Sequence, residues 1–332
     1  MGKFGMRGGG HGRGQGQPIR RLDRWRGALL GLAVGDALGT TLEFSRPGTF
    51  DPVTDMVGGG PFDLAPGQWT DDTSMALCLA ESLVEQGGFD PVDQMRRYLR
   101  WRDHGHLSST GECFDIGNTV DRALETFRET GDPFAGPADP WSAGNGSLMR
   151  IAPIALRWAH APEEAVRWAG QCSKTTHGAP AAVDACRYFT GLLVGALRGE
   201  PLETLLSPMY EPVAGLWERE PLCPEIERVA RGSWRGREPP EIRGSGYVVH
   251  CLEAALWALG RSGGFEEACL RAVNLGEDAD TTGAVCGQLA GAVFGAGGIP
   301  GRWLERLAMR ERVEALADAL LDACESEAQR RR

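Results

Sequence analysis

Two glycine rows with four-residue spacing constrain the fold of this chain more than any other feature. The first row runs from Gly27 to Gly39 and the second from Gly283 to Gly295, each through an apolar stretch patterned as a helix. Glycine destabilises a helix interior, so a repeated glycine indicates a helix surface that another backbone approaches very closely. We therefore predict two core helices with glycine faces. The spacing alone leaves open whether they are neighbours.

The rest of the chain also has helical periodicity, without the alternating pattern and hairpin turns of strands. We predict an all-α fold, a single compact multi-helix domain over residues 21–330. A long loop rich in glycine and proline, residues 44–69, is expected to lie over a functional site because it ends just before an acidic cluster. The expected helices cover residues 21–42, 75–85, 91–101, 119–130, 163–172, 179–198, 247–259, 265–273 and 302–327.

Composition excludes several classes of protein. The net charge of −10 argues against a nucleic-acid backbone as the main partner. No apolar run is long enough to span a membrane. The nine cysteines are scattered without a Cys-x-x-Cys pair, which is typical of buried free thiols in a reducing cytoplasm. We therefore expect a cytoplasmic protein without a disulfide framework or a zinc ribbon.

Residues 1–20 differ in composition from everything that follows. They are rich in glycine and arginine and contain almost nothing apolar. A segment of this kind cannot bury enough apolar surface to fold, so we interpret it as a flexible tail. It also lacks the apolar centre of a secretory signal.

The stretch from Asn274 to Thr282 gathers carboxylates and hydroxyls at the start of the second glycine row. Asp278 and Asp280 are two residues apart, which in a regular helix separates their side chains by about 200°. They share a face in an extended turn, so we predict a loop that leads into a helix, with Thr281 or Thr282 as the N-cap. Hard oxygen donors suit Mg²⁺, Mn²⁺ or Ca²⁺ rather than zinc. Taken alone, the stretch fits a solvated acidic helix cap better than a metal site.

A second acidic stretch favours the metal site over the helix cap. It reads Thr-Asp-Asp-Thr from Thr70 to Thr73 and also precedes an apolar helical run. Two helix N-termini that face one another would bring together enough oxygen-bearing side chains for one cation or a pair. Carboxylates packed that closely repel one another unless a cation lies between them.

Two further segments have a functional and an ordinary interpretation. The turn from Gly144 to Ser147 reads Gly-Asn-Gly-Ser and leads into a helix, so its free amides suit an anion or a phosphate. Taken alone, the pattern is more typical of an ordinary turn. His177 stands at a helix entry, where a histidine is more often structural than functional.

Taken in order, these segments resemble the ADP-ribosylglycohydrolase family, also described as dinitrogenase-reductase-activating-glycohydrolase-like. The resemblance runs from residue 21 to about residue 307 and rests on five stretches in the family's order. They are Gly-Asp-Ala-Leu-Gly at 35–39 with Glu43, Thr-Asp-Asp-Thr at 70–73, Gly-Asn-Gly-Ser at 144–147, Thr-His at 176–177, and Asp-Ala-Asp-Thr-Thr at 278–282.

The resemblance implies an all-α fold and a site with two Mg²⁺ or Mn²⁺ ions. The implied metal ligands are Thr70, Asp71, Asp72, Asp278, Asp280 and Thr281. The implied catalytic residues are Glu43, which matches a gating or catalytic glutamate, together with Asp71 and Asp280. The implied substrate-binding residues are Gly144, Asn145, Gly146 and Ser147 for the diphosphate, Asp115 and Asn118 for the distal ribose, His177 for the substrate, and Tyr247 for the adenosine side.

The implied activity is metal-dependent hydrolysis that removes ADP-ribose from an arginine- or serine-linked protein side chain by cleaving the bond at C1″ of the distal ribose. ADP-ribose would be the product, and an ADP-ribosylated end is the one nucleic-acid substrate that remains open. Hydrolysis of a free conjugate such as O-acetyl-ADP-ribose, non-catalytic ADP-ribose binding, and a calcium-stabilised helical scaffold also remain open. Some arginine-specific members have a histidine between Pro137 and Ala143, where this chain has Trp141 and Ser142.

Overall fold

The structure, a computed structural model, describes residues 19–332. The tail predicted over residues 1–20 therefore lies outside the described residues, apart from its last two. In the described part there is no β-strand, only two isolated bridges, and the all-α prediction is confirmed. The α-helices are α1 (Arg21–Gly39), α2 (Asp71–Glu85), α3 (Pro91–His104), α4 (Asn118–Thr130), α5 (Ala152–Trp158), α6 (Pro162–Lys174), α7 (Pro180–Leu197), α8 (Leu202–Leu205), α9 (Leu216–Arg219), α10 (Pro224–Ala230), α11 (Val248–Gly260), α12 (Phe265–Val273), α13 (Ala279–Phe294), α14 (Gly301–Arg306) and α15 (Arg310–Arg330).

The two glycine rows pack against each other, α1 against α13, in antiparallel register. A Cβ built on Gly31 would lie 2.2 Å from the carbonyl oxygen of Gly287, and one on Gly35 would lie 2.0 Å from that of Gly283. No side chain fits between backbones at that distance, so glycine is required on both faces. The close approach predicted from the spacing is confirmed, and the structure adds that each row is the other's partner.

This helix pair is the centre of the apolar core. Almost every residue of α1 after Trp25, and of α13 up to Ala292, is buried. Helices α12 and α15 pack against α1, while α7 and α11 pack against α13. Because the pair is antiparallel, the C-terminal end of α1 meets the N-terminal end of α13, where the acidic residues lie.

Several helix boundaries differ from those predicted. Helix α2 begins at Asp71 rather than near residue 75, and α13 begins at Ala279 with Asp278 as its N-cap rather than Thr281 or Thr282. The pattern places a helix start at the first apolar residue, whereas carboxylates are favourable in a first turn because they face the positive end of the helix dipole. The segment 302–327 is two helices, separated at Met309, whose φ is 46°.

The state of the cysteines and the lengths of the helices agree with the predictions made from composition. All nine cysteines are free, and seven of them are buried. Among residues 19–332, no helix is both long and apolar enough to cross a membrane. The prediction of buried free thiols is confirmed for those seven, while Cys113 and Cys223 are only partly buried.

Candidate active site

The antiparallel helix pair brings Glu43 to the start of α13. Helix α1 ends at Gly39, where a Cβ would lie 2.3 Å from the Cα of Asp280. One short helical turn, Thr40–Leu42, then leads to Glu43. The backbone beyond it is fixed to the loop before α13, because the amide of Phe44 donates to the carbonyl of Glu277 over 2.7 Å.

The start of α2 is fixed beside the same point by Asp36, in the last turn of α1. Its buried carboxylate accepts hydrogen bonds from the backbone amides and the hydroxyls of Thr70 and Thr73, at 2.6 to 3.0 Å. The two helix starts consequently touch: the Thr70 hydroxyl lies 3.1 Å from Asp280 Oδ2, and the Thr281 hydroxyl lies 3.3 Å from Asp72 Oδ2. The two acidic stretches do face one another.

Among residues 19–332, no basic side chain forms an ion pair with the carboxylates at this junction. One oxygen of each of Glu43, Asp72 and Asp280 is buried without a hydrogen bond. Burial raises the pKa of Asp72 and Asp280 well above the usual range, and neighbouring carboxylates raise it further. Buried, mutually repelling carboxylates with unpaired oxygens fit a bound cation, since a cation supplies the missing partner.

Asp115 joins Glu43, Asp72 and Asp280 in one acidic cluster, although the resemblance implies only a ribose contact for it. Carboxylate oxygens of Glu43, Asp115 and Asp280 all lie within 4.8 Å of one another. Burial raises the pKa of Glu43, and the negative charge of Asp115 raises it further. The described residues thus offer the oxygen ligands of a hard divalent cation, supplied by three separate segments of the chain.

The Gly-Asn-Gly-Ser turn lies next to the acidic cluster. The side-chain amide of Asn145 donates to Asp278 over 2.6 Å, and its backbone amide donates to the Gly246 carbonyl over 3.1 Å. A Cβ on Gly146 would lie 2.8 Å from Cε1 of His177, so only glycine fits there. Burial lowers the pKa of His177 to about 3, which keeps its ring neutral at physiological pH. His177 therefore supports the turn as an uncharged group.

One cavity of about 340 Å³ joins the turn to the carboxylates. The predicted site residues that line it are Glu43, Asp71, Asp115, Asn118, Gly144, Asn145, Gly146, His177, Asp278, Asp280 and Thr281. Its volume is within the range of small-molecule binding sites. A larger cavity of about 780 Å³, beside Arg24 and His160, contains none of the predicted residues.

Four predicted residues lie elsewhere. Thr70 and Asp72 are buried behind the cavity wall, in contact with the carboxylates that line it. The Ser147 hydroxyl lies 2.8 Å from that of Ser173 in the interior, away from the cavity. Tyr247 lines a neighbouring cavity of about 200 Å³ and pairs through its backbone with Gly144. Trp141 is 98% exposed on a short turn and does not line either cavity.

The profile of one protein family, described as ADP-ribosylglycohydrolase, matches residues 17–330. The chain belongs to the ADP-ribosylglycohydrolase family. The predicted family, the fold class and the predicted class of hydrolytic enzyme are thereby confirmed.

Relatives within the family agree over nearly the whole chain. The ADP-ribosylarginine hydrolase Tri1 of Pseudomonas putida is 45% identical over 92% of this chain and 80% of its own. The ADP-ribosyl-[dinitrogen reductase] glycohydrolase of Rhodospirillum rubrum is 34% identical over 90% and 96%. A solved structure titled ADP-ribosylglycohydrolase-related protein complex is 50% identical, covers 92% of this chain and 99% of that chain, and has a TM-score of 0.80.

Reasoning from the sequence missed two buried polar residues of this candidate site. Asp36 orients the first turn of α2, as described above. Arg150 is fully buried behind the Gly-Asn-Gly-Ser turn, and its guanidinium donates over 2.7 Å both to the Gly146 carbonyl and to the Thr176 hydroxyl. Each is a charged residue inside an otherwise apolar run, Asp36 within α1 and Arg150 just before α5, and that contrast was the available signal.

Proposed function

We propose that this protein is a metal-dependent hydrolase that removes ADP-ribose from arginine side chains of modified proteins. The observation that carries the proposal is one cavity lined both by Glu43 and Asp280, each with a buried carboxylate oxygen that has no partner, and by the turn from Gly144 to Gly146. The hydrogen bond from Asn145 to Asp278 joins this turn to the carboxylates. ADP-ribose has the matching layout, a diphosphate between two riboses. The name of the Pseudomonas putida relative supports arginine as the linked residue.

Two Mg²⁺ or Mn²⁺ ions complete the site in this proposal. The proposed ligands are Thr70, Asp71, Asp72, Asp278, Asp280 and Thr281. Their hydroxyl and carboxylate oxygens are the donors that hard divalent cations prefer. When bound, the metal supplies Lewis-acid chemistry at the distal ribose and at water.

The protein's own groups have separate tasks. The backbone amides of Gly144 and Gly146 bind the diphosphate, with the positive charge of Arg150 close behind them. Asn118 and Asp115 position the distal ribose, and the carboxylates of Asp71 and Asp280 stabilise the positive charge that develops at C1″. The bond from C1″ to the arginine nitrogen breaks and the oxygen of water bonds to C1″. One proton of that water stays on the new hydroxyl and the other goes to the leaving nitrogen.

The proposed partner is an ADP-ribosylated protein, and the proposed location is the cytoplasm. Nine free cysteines in the chain support a reducing compartment. The net charge of −10 supports a phosphate site built from backbone amides rather than from a basic surface.

A release assay on defined substrates tests the proposed function. Peptides with ADP-ribosyl-arginine or ADP-ribosyl-serine, and O-acetyl-ADP-ribose, are incubated with the protein in Mg²⁺, Mn²⁺ or EDTA. We expect cation-dependent release of ADP-ribose, fastest from arginine. Release from O-acetyl-ADP-ribose alone would instead identify a hydrolase of free conjugates, and ADP-ribose binding without any turnover would identify a binding protein.

Replacing Glu43 with glutamine is expected to lower kcat by about 10²- to 10⁴-fold, the usual contribution of a general base. Glu43 ends the turn at Thr40–Leu42 and precedes a long loop, so its carboxylate can orient water or move aside as ADP-ribose enters. Glutamine keeps the shape but cannot take a proton. Steady-state kinetics and calorimetry with ADP-ribose measure the two effects, and the affinity for ADP-ribose is expected to stay nearly unchanged. Wild-type turnover by this variant would eliminate the catalytic role of Glu43.

A further inference from the structure

The side chain of Phe44 occupies an unusual place at the mouth of the cavity. It follows Glu43 directly, is 69% exposed, and lines the cavity together with Asp71 and Asp115. A single exposed apolar side chain is ordinary on a protein surface, but Phe44 lines a cavity together with carboxylates, where its ring can contact a bound ligand.

The backbone holds Phe44 in a conformation that bulky residues rarely adopt. Its φ is 58°, in the left-handed region, and that of Glu277 is 56°. Two hydrogen bonds fix the pair: the Phe44 amide donates to the Glu277 carbonyl over 2.7 Å, and the Glu277 amide donates to the Ser45 carbonyl over 2.8 Å. Such a conformation persists only where the surroundings enforce it, and it is frequent at functional sites.

The ring is also supported from behind by two other aromatic residues. Its centroid lies 6.4 Å from that of Phe62 in an edge-to-face arrangement, and Phe62 lies 5.2 Å from Phe114. Phe114 immediately precedes Asp115, so the aromatic group and the acidic cluster share one loop. The orientation of Phe44 is therefore set before any substrate binds, which reduces the entropy lost on binding.

We propose that Phe44 determines linkage specificity by stacking on a planar cationic leaving group, the guanidinium of the modified arginine. This inference rests on the proposed function and names the residue that distinguishes arginine-linked ADP-ribose from other linkages. A guanidinium over an aromatic face is attracted to the ring and keeps the N–H groups at its edges free to donate hydrogen bonds, and the carboxylates of Glu43 and Asp115 line the same cavity as acceptors. A serine oxygen or an acetyl ester has neither the planar cationic shape nor the positive charge of a guanidinium, so it gains no binding energy by stacking on this ring.

Replacing Phe44 with leucine tests the inference because leucine keeps apolar volume and removes the aromatic face. We expect kcat/KM for an ADP-ribosyl-arginine peptide to fall roughly 3- to 30-fold, the range of a cation–π contact. The ratio of arginine-linked to serine-linked or acetyl-ester turnover should fall with it, while the dissociation constant for ADP-ribose stays at the wild-type value. Phe44→Tyr, which keeps the ring, should retain the arginine preference.

Val57→Ala is the matched control, because Val57 is an exposed apolar residue of the same loop that does not line the cavity. It should leave both the linkage ratio and ADP-ribose binding unchanged. If Phe44→Leu changes all linkages equally, or weakens ADP-ribose binding in parallel, the ring contacts ADP-ribose or only supports the fold, and the inference is wrong while the proposed function stands. If the wild-type protein releases ADP-ribose from no substrate, the proposed function itself fails.

Discussion

Replacement of Asp280 by asparagine is expected to lower kcat/KM by about 10³-fold or more. Asp280 is buried at the point where α2 and α13 meet. It contacts the Thr70 hydroxyl, and one of its carboxylate oxygens lies within 4.8 Å of a carboxylate oxygen of Glu43. Asparagine has nearly the same shape but no negative charge to hold a cation or to stabilise charge at C1″. The release assay on an arginine-linked peptide measures the loss.

The same variant should respond differently to cations. For the wild-type protein, a cation at a hundred times its dissociation constant adds about 2.7 kcal/mol to the free energy of unfolding. In Asp280→Asn that gain should largely disappear, and calorimetry with Mn²⁺ should show weakened binding. Mn²⁺ binding equal to wild type would rule out Asp280 as a ligand.

Without a cation, the variant should be at least as stable as the wild type near pH 7.5. Burial and neighbouring carboxylates raise the pKa of Asp280 in the folded state. A raised acid pKa means that the wild-type fold loses stability as pH rises above the unfolded value of about 4. Asparagine removes that loss. Asp121→Asn is the control, because Asp121 stands in the first turn of α4 but is exposed, so neither activity nor cation response should change.

Replacement of Gly287 by alanine is expected to destabilise the fold by about 3 kcal/mol, the upper range of overpacking. The added Cβ would lie 2.0 Å from the carbonyl oxygen and 2.7 Å from the carbonyl carbon of Gly31. Alanine gains about 1 kcal/mol of helix propensity. The contact outweighs that gain because the opposing atoms are backbone of a buried helix and cannot rotate away. Thermal unfolding should show a melting temperature lower by roughly 5 °C or more.

Gly170→Ala is the matched control, because Gly170 is also inside a helix. Its Cβ would meet only the flexible Arg187 side chain, at 3.3 Å, and Val183 at 3.5 Å. This variant should be as stable as the wild type, or gain up to about 1 kcal/mol. A melting temperature for Gly287→Ala equal to that of Gly170→Ala would show that the two glycine helices can separate at little cost.

The acidic stretches show how much of the site can be predicted from local sequence. The residues around Asp71 and Asp280 predict helix starts rich in oxygen donors, because hydroxyl and carboxylate groups before an apolar run are a local pattern. The exact helix boundaries did not follow, since the first turns of α2 and α13 already contain these acids. The role of Asp115 in the acidic cluster also did not follow, because a loop residue with φ of 57° gives no periodic signal.

By itself, the sequence determined the helical class, the two glycine faces, the hard-donor stretches and the glycine-rich turn, because each depends on residues that are near one another in the chain. Only the tertiary structure decided the partners: Gly31 against Gly287, Asp36 beneath Thr70 and Thr73, and Arg150 behind Gly146. These contacts join segments distant in sequence, or depend on which way a buried side chain turns, and a spacing pattern specifies neither. The antiparallel register of α1 and α13 decided where the site lies, since it places the end of one helix beside the start of the other.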